Sequence, residues 1–193
     1  MADVVELLDD LTPAGRRVLD VAAGLFYRQG IHAVGVDAIA ADAGVTKKTL
    51  YTCFGSKDRL VTAYLIERDR RWREWLEPRL GEVAAPREAL LAVFDALEEW
   101  MGGGDFRGCG FVNALAEIPE ADHPARAVIA EQKRWMRERF ARLAADAALA
   151  DPEDFADSAF LLYEGATVAA SAGIPGAVRQ ARRTAERLLA GEG

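Results

Sequence analysis

Thr46, Lys47, Lys48, Thr49 and Tyr51 stand within six consecutive positions and bring hydroxyl, ammonium and phenol groups together. No histidine, carboxylate or cysteine sits among them to activate a nucleophile, so the chemistry they suit is recognition rather than bond making. Ammonium groups attract phosphate oxygens, and Lys and Thr side chains can donate to base edges in the major groove of DNA, while Tyr51 suits a phosphate oxygen. Such a role requires these residues to project from the exposed N-terminal end of a helix. The flanking sequence must therefore build that helix and hold it at a surface.

The flanking residues meet this requirement. Residues 36–43 read as a short helix because Ile39, Ala40 and Ala43 recur at the spacing that shares one face. Gly35 is a permissible N-cap, and Gly44 can end the helix in the left-handed conformation. Thr46 is a good N-cap for the next helix, which leaves Lys47, Lys48 and Thr49 on its first turn and points Val45 and Leu50 to the core. The small side chain of Ala40 lets two steeply crossing helices approach closely. Ser56 caps a third helix from Lys57, expected to end near Glu77 ahead of Pro78. Two short helices joined by a glycine turn are the sequence form of a DNA-reading helix-turn-helix. An isolated pair of this kind can be plain packing. Here the caps, the basic first turn and Lys57 coincide, which favours DNA.

The run from Ile39 to Leu60, I-A-A-D-A-G-V-T-K-K-T-L-Y-T-C-F-G-S-K-D-R-L, resembles the tetracycline-repressor (TetR) family of bacterial transcriptional regulators. Upstream, Arg16, Val18, Ala22, Leu25, Phe26 and Gly30 fit the family's first helix. The segment R-G-C-G-F-V-N-A-L-A-E, from Arg107 to Glu117, is similar to one in many such regulators. Thr52 and Cys53 depart from the commonest pattern, which has aromatic and His residues there, and Gly35 replaces the usual Thr cap. The resemblance implies an all-α fold of about nine helices, with a helix-turn-helix head over residues 12–56 and an effector-binding and dimerisation body over 57–193. It implies contacts to double-stranded DNA from Lys47, Lys48, Thr49, Tyr51 and Thr52, with Lys57 and Arg16 on phosphates. It further implies a homodimer on a palindromic operator, acting as a repressor that a small-molecule effector releases, or as an activator built on the same head.

The charge of the chain agrees with a head that meets DNA. The net charge is -7, yet residues 12–73 hold 11 Lys and Arg against 6 Asp and Glu, which is +5, so the remainder carries -12. A basic head can meet phosphate while an acidic body is repelled from the duplex. With 51% apolar and 28% charged residues, the composition is that of an ordinary globular protein. No run of about 18 apolar residues offers a membrane span, and the acidic start M-A-D-V-V-E-L-L-D-D is unlike a signal peptide, which predicts a cytoplasmic location. Cys53 and Cys109 are far apart and form no Cys/His cluster, so neither a disulfide framework nor a metal site is expected, and the sequence implies no cofactor. His32 and His123 read as isolated loop residues. A rival reading is a helical small-molecule carrier or enzyme with an incidental helix-turn-helix, but no glycine-rich phosphate loop or catalytic grouping appears.

The remaining sequence reads as successive helices, at Pro86–Met101, at about 109–118, from Pro124 to about Ala148, from Asp151 to about Ser171, and over 175–190. In the last two, Phe155, Ala159, Leu162, Ala166 and Ala170 with Val178, Ala181, Ala185 and Leu188 form apolar seams. These serve packing within the chain or contact with a second copy equally well, and the resemblance implies the second copy. The body holds Trp72, Trp75, Trp100 and Trp135 together with Phe94, Phe111, Phe140 and Tyr163, which form either a plain aromatic core or the lining of an apolar effector pocket. Asn113 and Glu117, at i and i+4, share a polar face that would look into such a cavity or out to solvent.

Overall fold

The computed structural model describes residues 2–104 and 106–191, which form ten helices and, among the described residues, no strand. They are α1 (Ala2–Asp9), α2 (Pro13–Gln29), α3 (Val36–Asp42), α4 (Lys47–Phe54), α5 (Lys57–Gly81), α6 (Pro86–Met101), α7 (Gly110–Glu117), α8 (Pro124–Asp146), α9 (Pro152–Ser171) and α10 (Ala177–Gly191). The helix added to the nine expected is α1. It forms where Val4 and Leu8, one turn apart on a single face, are both buried. The helices divide between two compact units. One holds the chain to Arg70 with Gly110–Glu131, and the other holds Arg71–Cys109 with the chain from Gln132.

In the first unit α2, α3 and α4 pack on one another. Thr12 starts α2, its hydroxyl accepting the Gly15 N–H at 3.1 Å, and Pro13 takes the first helical position, where an N–H would have no partner. Val18, Leu19, Ala22 and Phe26 of α2 bury their side chains with Ile39 and Ala40 of α3 and Leu50 and Phe54 of α4. Each such large apolar side chain contributes roughly 1.5–3 kcal/mol when fully buried.

The second unit is built on an aromatic centre. Trp72 donates its indole N–H to Met136 Sδ at 3.1 Å, and Trp75 donates to the Ala96 carbonyl at 3.2 Å. The Trp100 ring meets both indoles at 5.5 Å, edge-on. Phe140 lies between Phe94 and Tyr163, at centroid distances of 5.9 and 6.1 Å. On one side α10 packs against α9 and α6, and Arg87 adds a bond to the Leu189 carbonyl at 2.9 Å. Arg137 bridges α8 to α9 through Asp157 and Glu153; its hydrogen bond to Asp157 holds that carboxyl below the usual carboxylate range.

Two helix ends differ from the sequence expectation, each for a local reason. α5 does not stop at Pro78 but continues to Gly81. Pro78 removes one backbone bond, while the helix on either side of it buries Leu76 and Leu80 completely or nearly so. The Arg79 guanidinium also bonds the Trp75 carbonyl at 2.9 Å in that turn. α8 ends at Asp146 because the chain reverses at Ala148, whose φ is 52°. The Ala148 and Leu149 amides bond back to Ala145 and Ala144, the pattern that ordinarily places glycine at the left-handed position. An alanine there costs roughly 1–2 kcal/mol. Ala148→Gly is therefore expected to stabilise the protein by about 1 kcal/mol, read as a raised thermal midpoint; an unchanged or lowered midpoint would contradict the strain assigned to this residue.

Candidate nucleic-acid interface

The turn between α3 and α4 is closed by backbone geometry. Gly44, at φ 63°, lets its own N–H reach the Ala41 carbonyl at 3.1 Å and the Val45 N–H reach that of Ala40 at 3.0 Å. The Thr46 hydroxyl then caps α4, accepting the Thr49 N–H at 3.1 Å and lying 2.9 Å from the Thr49 hydroxyl. Gly35 starts α3 with no side-chain bond. With these ends fixed, Leu50 and Phe54 point inward, and Lys47, Lys48, Tyr51 and Thr52 occupy the exposed side of α4 while Thr49 is half-buried. Positions 47, 48, 51 and 52 are neighbours at i, i+3 and i+4, so two ammonium groups, a phenol and a hydroxyl share one face.

The exposed groups are not equivalent. Lys47 lies 3.0 and 3.1 Å from the two carboxylate oxygens of Asp37, on the first turn of α3. That hydrogen bond, with the charge behind it, holds the ammonium above the ordinary lysine range. Both groups are largely in solvent, where such a pair adds little stability. Asp37 therefore acts as an internal counter-charge to Lys47. The Thr52 hydroxyl donates to the Lys48 carbonyl at 2.9 Å, which leaves its oxygen able to accept but spends its proton.

The two remaining candidate contacts, Arg16 in the head and Lys57 at the start of α5, are engaged within the protein. Arg16 donates to the Leu8 carbonyl at 3.2 Å and lies 3.4 Å from Glu67. Lys57 Nζ donates to the Ile31 carbonyl at 2.6 Å and sits 5.9 Å from the Phe26 ring centroid, which leaves two ammonium protons for other partners. Neighbouring arginines are also occupied: Arg68 stacks on Tyr27 at 4.1 Å and Arg70 pairs with Asp9 at 3.1 Å.

The aromatic candidates separate between the units. Trp72, Trp75, Phe94, Trp100, Trp135, Phe140 and Tyr163 gather in the second, where Phe94 and Phe140 are core and Trp100 and Trp135 are half-buried. Phe111, Asn113 and Glu117 belong to the first, and Glu117 bonds the His32 amide at 2.8 Å. Of the seam residues, Phe155, Ala159, Ala166, Val178, Ala181 and Ala185 are buried in the chain's own core, whereas Leu188 is exposed and Leu162 and Ala170 are half-buried. The outer face of α9 and its following turn instead expose Leu161, Val168 and Ile174, residues the sequence reading passed over. Their signal was present: Leu161, Gly165 and Val168 repeat at i, i+4 and i+7. Beside them runs a groove of about 740 Å³ lined by Leu161, Leu162, Ala166, Ala169, Ile174 and Gln180 among others.

A capped, glycine-turned helix pair with a polar, basic second helix has the geometry of a helix-turn-helix. The sequence model of bacterial regulatory proteins of the tetR family matches residues 18–64. Over 91% of its length the chain superposes on 94% of a TetR-family transcriptional regulator from Streptomyces coelicolor, with a TM-score of 0.84 and 32% identity. It is 36% identical over 78 residues to an uncharacterised helix-turn-helix transcriptional regulator of Mycobacterium tuberculosis, a match covering 40% of this chain and 39% of that one. It is also 34% identical over 89 residues to the transcriptional repressor KstR2 of the same organism, covering 42% of each. The match thus spans well under half the length of these two mycobacterial relatives. The chain belongs to the TetR family of bacterial transcriptional regulators.

Two substitutions test the electrostatics of the face. Asp37→Asn removes the counter-charge and is expected to strengthen binding to any duplex, steepening the salt dependence by about 0.9 as Lys47 gains a phosphate. Lys48→Ala is expected to change which sequence is preferred. Titrations of random and selected duplexes at several salt concentrations measure both, and an Asp37→Asn slope equal to the native one would show that the Asp37 counter-charge does not limit what Lys47 contributes at phosphate.

Proposed function

We propose that this regulator is a repressor that binds a palindromic operator as a homodimer and is released by a small-molecule effector. The observation that carries the reading is the exposed Lys47, Lys48, Tyr51 and Thr52 face on a helix whose ends are fixed by Gly44 and Thr46. Lys47, Lys48 and Thr49 supply base and phosphate contacts in the major groove, and Tyr51 and Thr52 supply phosphate contacts. Lys57 adds a phosphate contact through its remaining protons, and Arg16 a weaker one through a guanidinium already shared with Leu8 and Glu67. In functional terms the head is residues 12–56 and the body 57–193.

A palindrome needs two heads in fixed relation, and the outer face of α9 suits the joining of two copies. Leu161 is 70% exposed, Ile174 57% and Val168 52%, which is a large apolar exposure for one short stretch. Gly165 and Ala169 between them allow a second copy's helix to approach closely. Leu162, Ala170 and Leu188 flank this strip, while Phe155, Ala159, Ala166, Val178, Ala181 and Ala185 support it from the core. The named repressor among the relatives is consistent with repression rather than activation.

The effector site is assigned to the aromatic centre of the second unit, around Trp72, Trp75, Trp100, Trp135 and Tyr163, where an apolar ligand finds π-faces. Effector binding favours a dimer conformation whose head spacing no longer fits the operator, which is a shift between pre-existing states. No helix of the described residues is long and apolar enough to cross a membrane, and both DNA and effector are taken to be met in the cytoplasm.

Two experiments test the reading. Selection from random duplexes is expected to recover a palindrome, and failure to enrich any sequence would favour a carrier with an incidental head. Leu161→Glu is expected to leave folding intact, yield monomers in sedimentation and weaken operator binding by at least about ten-fold, since one head alone loses the second half-site. All four tryptophans lie in the second unit, so their emission reports an effector screen there. A hit must also lower operator affinity, and one that left it unchanged would not be the effector.

A further inference from the structure

The connection from α2 to α3 buries Ile31 and Val34, and both polar groups of the Ile31–His32 peptide within it are held by side chains from other helices. The Ile31 carbonyl accepts from Lys57 Nζ at 2.6 Å, and the His32 N–H donates to Glu117 Oε2 at 2.8 Å. Both groups belong to the Ile31–His32 peptide, whose C=O and N–H point in opposite directions because the bond is trans and planar. An ammonium therefore sits at the negative end of this peptide dipole and a carboxylate at its positive end, and both bonds are charge-assisted. Lys57 is the first residue of α5 and Glu117 the last of α7. The preceding Gly30 adopts φ 91°, and a Cβ there would stand 3.1 Å from both Glu117 carboxylate oxygens, so glycine both permits the turn and admits the carboxylate.

Lys57 follows α4 directly, but Glu117 arrives from a distant part of the sequence. Its own end of the chain is braced: Arg126 donates to the Ile118 carbonyl at 3.1 Å, and His123 Nδ1 accepts the Ala125 N–H at 3.1 Å while its Nε2 lies 3.5 Å from Asp58. A cavity of about 440 Å³, lined among others by His32, Lys57, Glu117 and His123, lies beside the gripped peptide.

We infer that Glu117 is a positioning residue for DNA reading: its carboxylate fixes the Ile31–His32 peptide, and through it the placement of α3 and α4, according to where the C-terminus of α7 stands. This rests on the DNA-binding reading above and adds to it the point at which the head is controlled. Glu117 touches neither base nor phosphate, so its loss alters affinity without altering the number of phosphates bound.

Three variants separate reach from charge, with a duplex selected by the native protein as the probe. Glu117→Gln keeps an acceptor and removes the charge. Glu117→Asp keeps the charge and withdraws it by one methylene, and Glu117→Ala removes both. We expect Glu117→Asp and Glu117→Ala to bind the duplex about ten-fold more weakly than Glu117→Gln, with salt slopes unchanged in all three. Amide exchange at His32 should accelerate in the Asp and Ala variants, return to native in Gln, and stay constant in α9 and α10. Equal affinities for the Gln and Ala variants, or a His32 amide indifferent to all three, would overturn the assignment. Should the Ala variant fail to fold, the Asp and Gln pair decides. If the native protein selects no duplex, the regulator reading fails instead, and His32 exchange still reports whether Glu117 holds the turn.

Discussion

Leu50 and Phe54 are shut in against α2 and α3, and this sidedness of α4 is the constraint on which the reading face depends. An eight-residue helix has no independent stability to spare, because a short helix in water gains too few backbone bonds to offset its nucleation. It persists because its apolar side is buried and its first turn is capped. The same burial leaves Lys47, Lys48, Tyr51 and Thr52 no orientation but outward. The outward polar face is thus a by-product of packing, and its side chains take part in the structure through the Lys47 pair with Asp37 and the Thr52 bond to its own helix.

The second unit obeys a different rule. Its tryptophans bring polar N–H groups into an apolar centre, and each donor pictured there has an acceptor: a thioether sulfur for Trp72 and a backbone carbonyl for Trp75. A centre of large rings meeting edge-on is stiff in its ring geometry yet uneven in outline. The cations that lie over Trp75 and Trp135, from Arg79 at 3.3 Å and Arg73 at 4.3 Å, cover the outer faces of those rings.

The head was legible in the sequence because its determinants are local. Gly44, Thr46 and the spacing of Ile39, Leu50 and Phe54 act within a few residues, and each did in the structure what its type suggests. Elements governed by distant packing were harder to read. Pro78 looked like a terminus because the burial of Leu76 and Leu80 on both sides of it depends on other helices. Ala148 gives no sign of a left-handed backbone, since composition at that point names alanine and not glycine. The seam in α9 and α10 mixed two faces: its small residues fill the chain's own core, while Leu161, Val168 and Ile174 stand outside. The partner of Glu117 was illegible for the plainest reason, that a carboxylate on a helix says nothing about a backbone amide far away in the sequence.

The contact between Glu117 and the turn at Gly30 also limits what either position can hold. Any side chain at position 30 meets two obstacles at once, a backbone angle that disfavours it and a carboxylate already in its space. A shorter acid at position 117 would relieve the second obstacle but not the first, and would leave the His32 amide without its partner. Positions 30 and 117 are therefore coupled through one contact in space, although 87 residues separate them in the sequence.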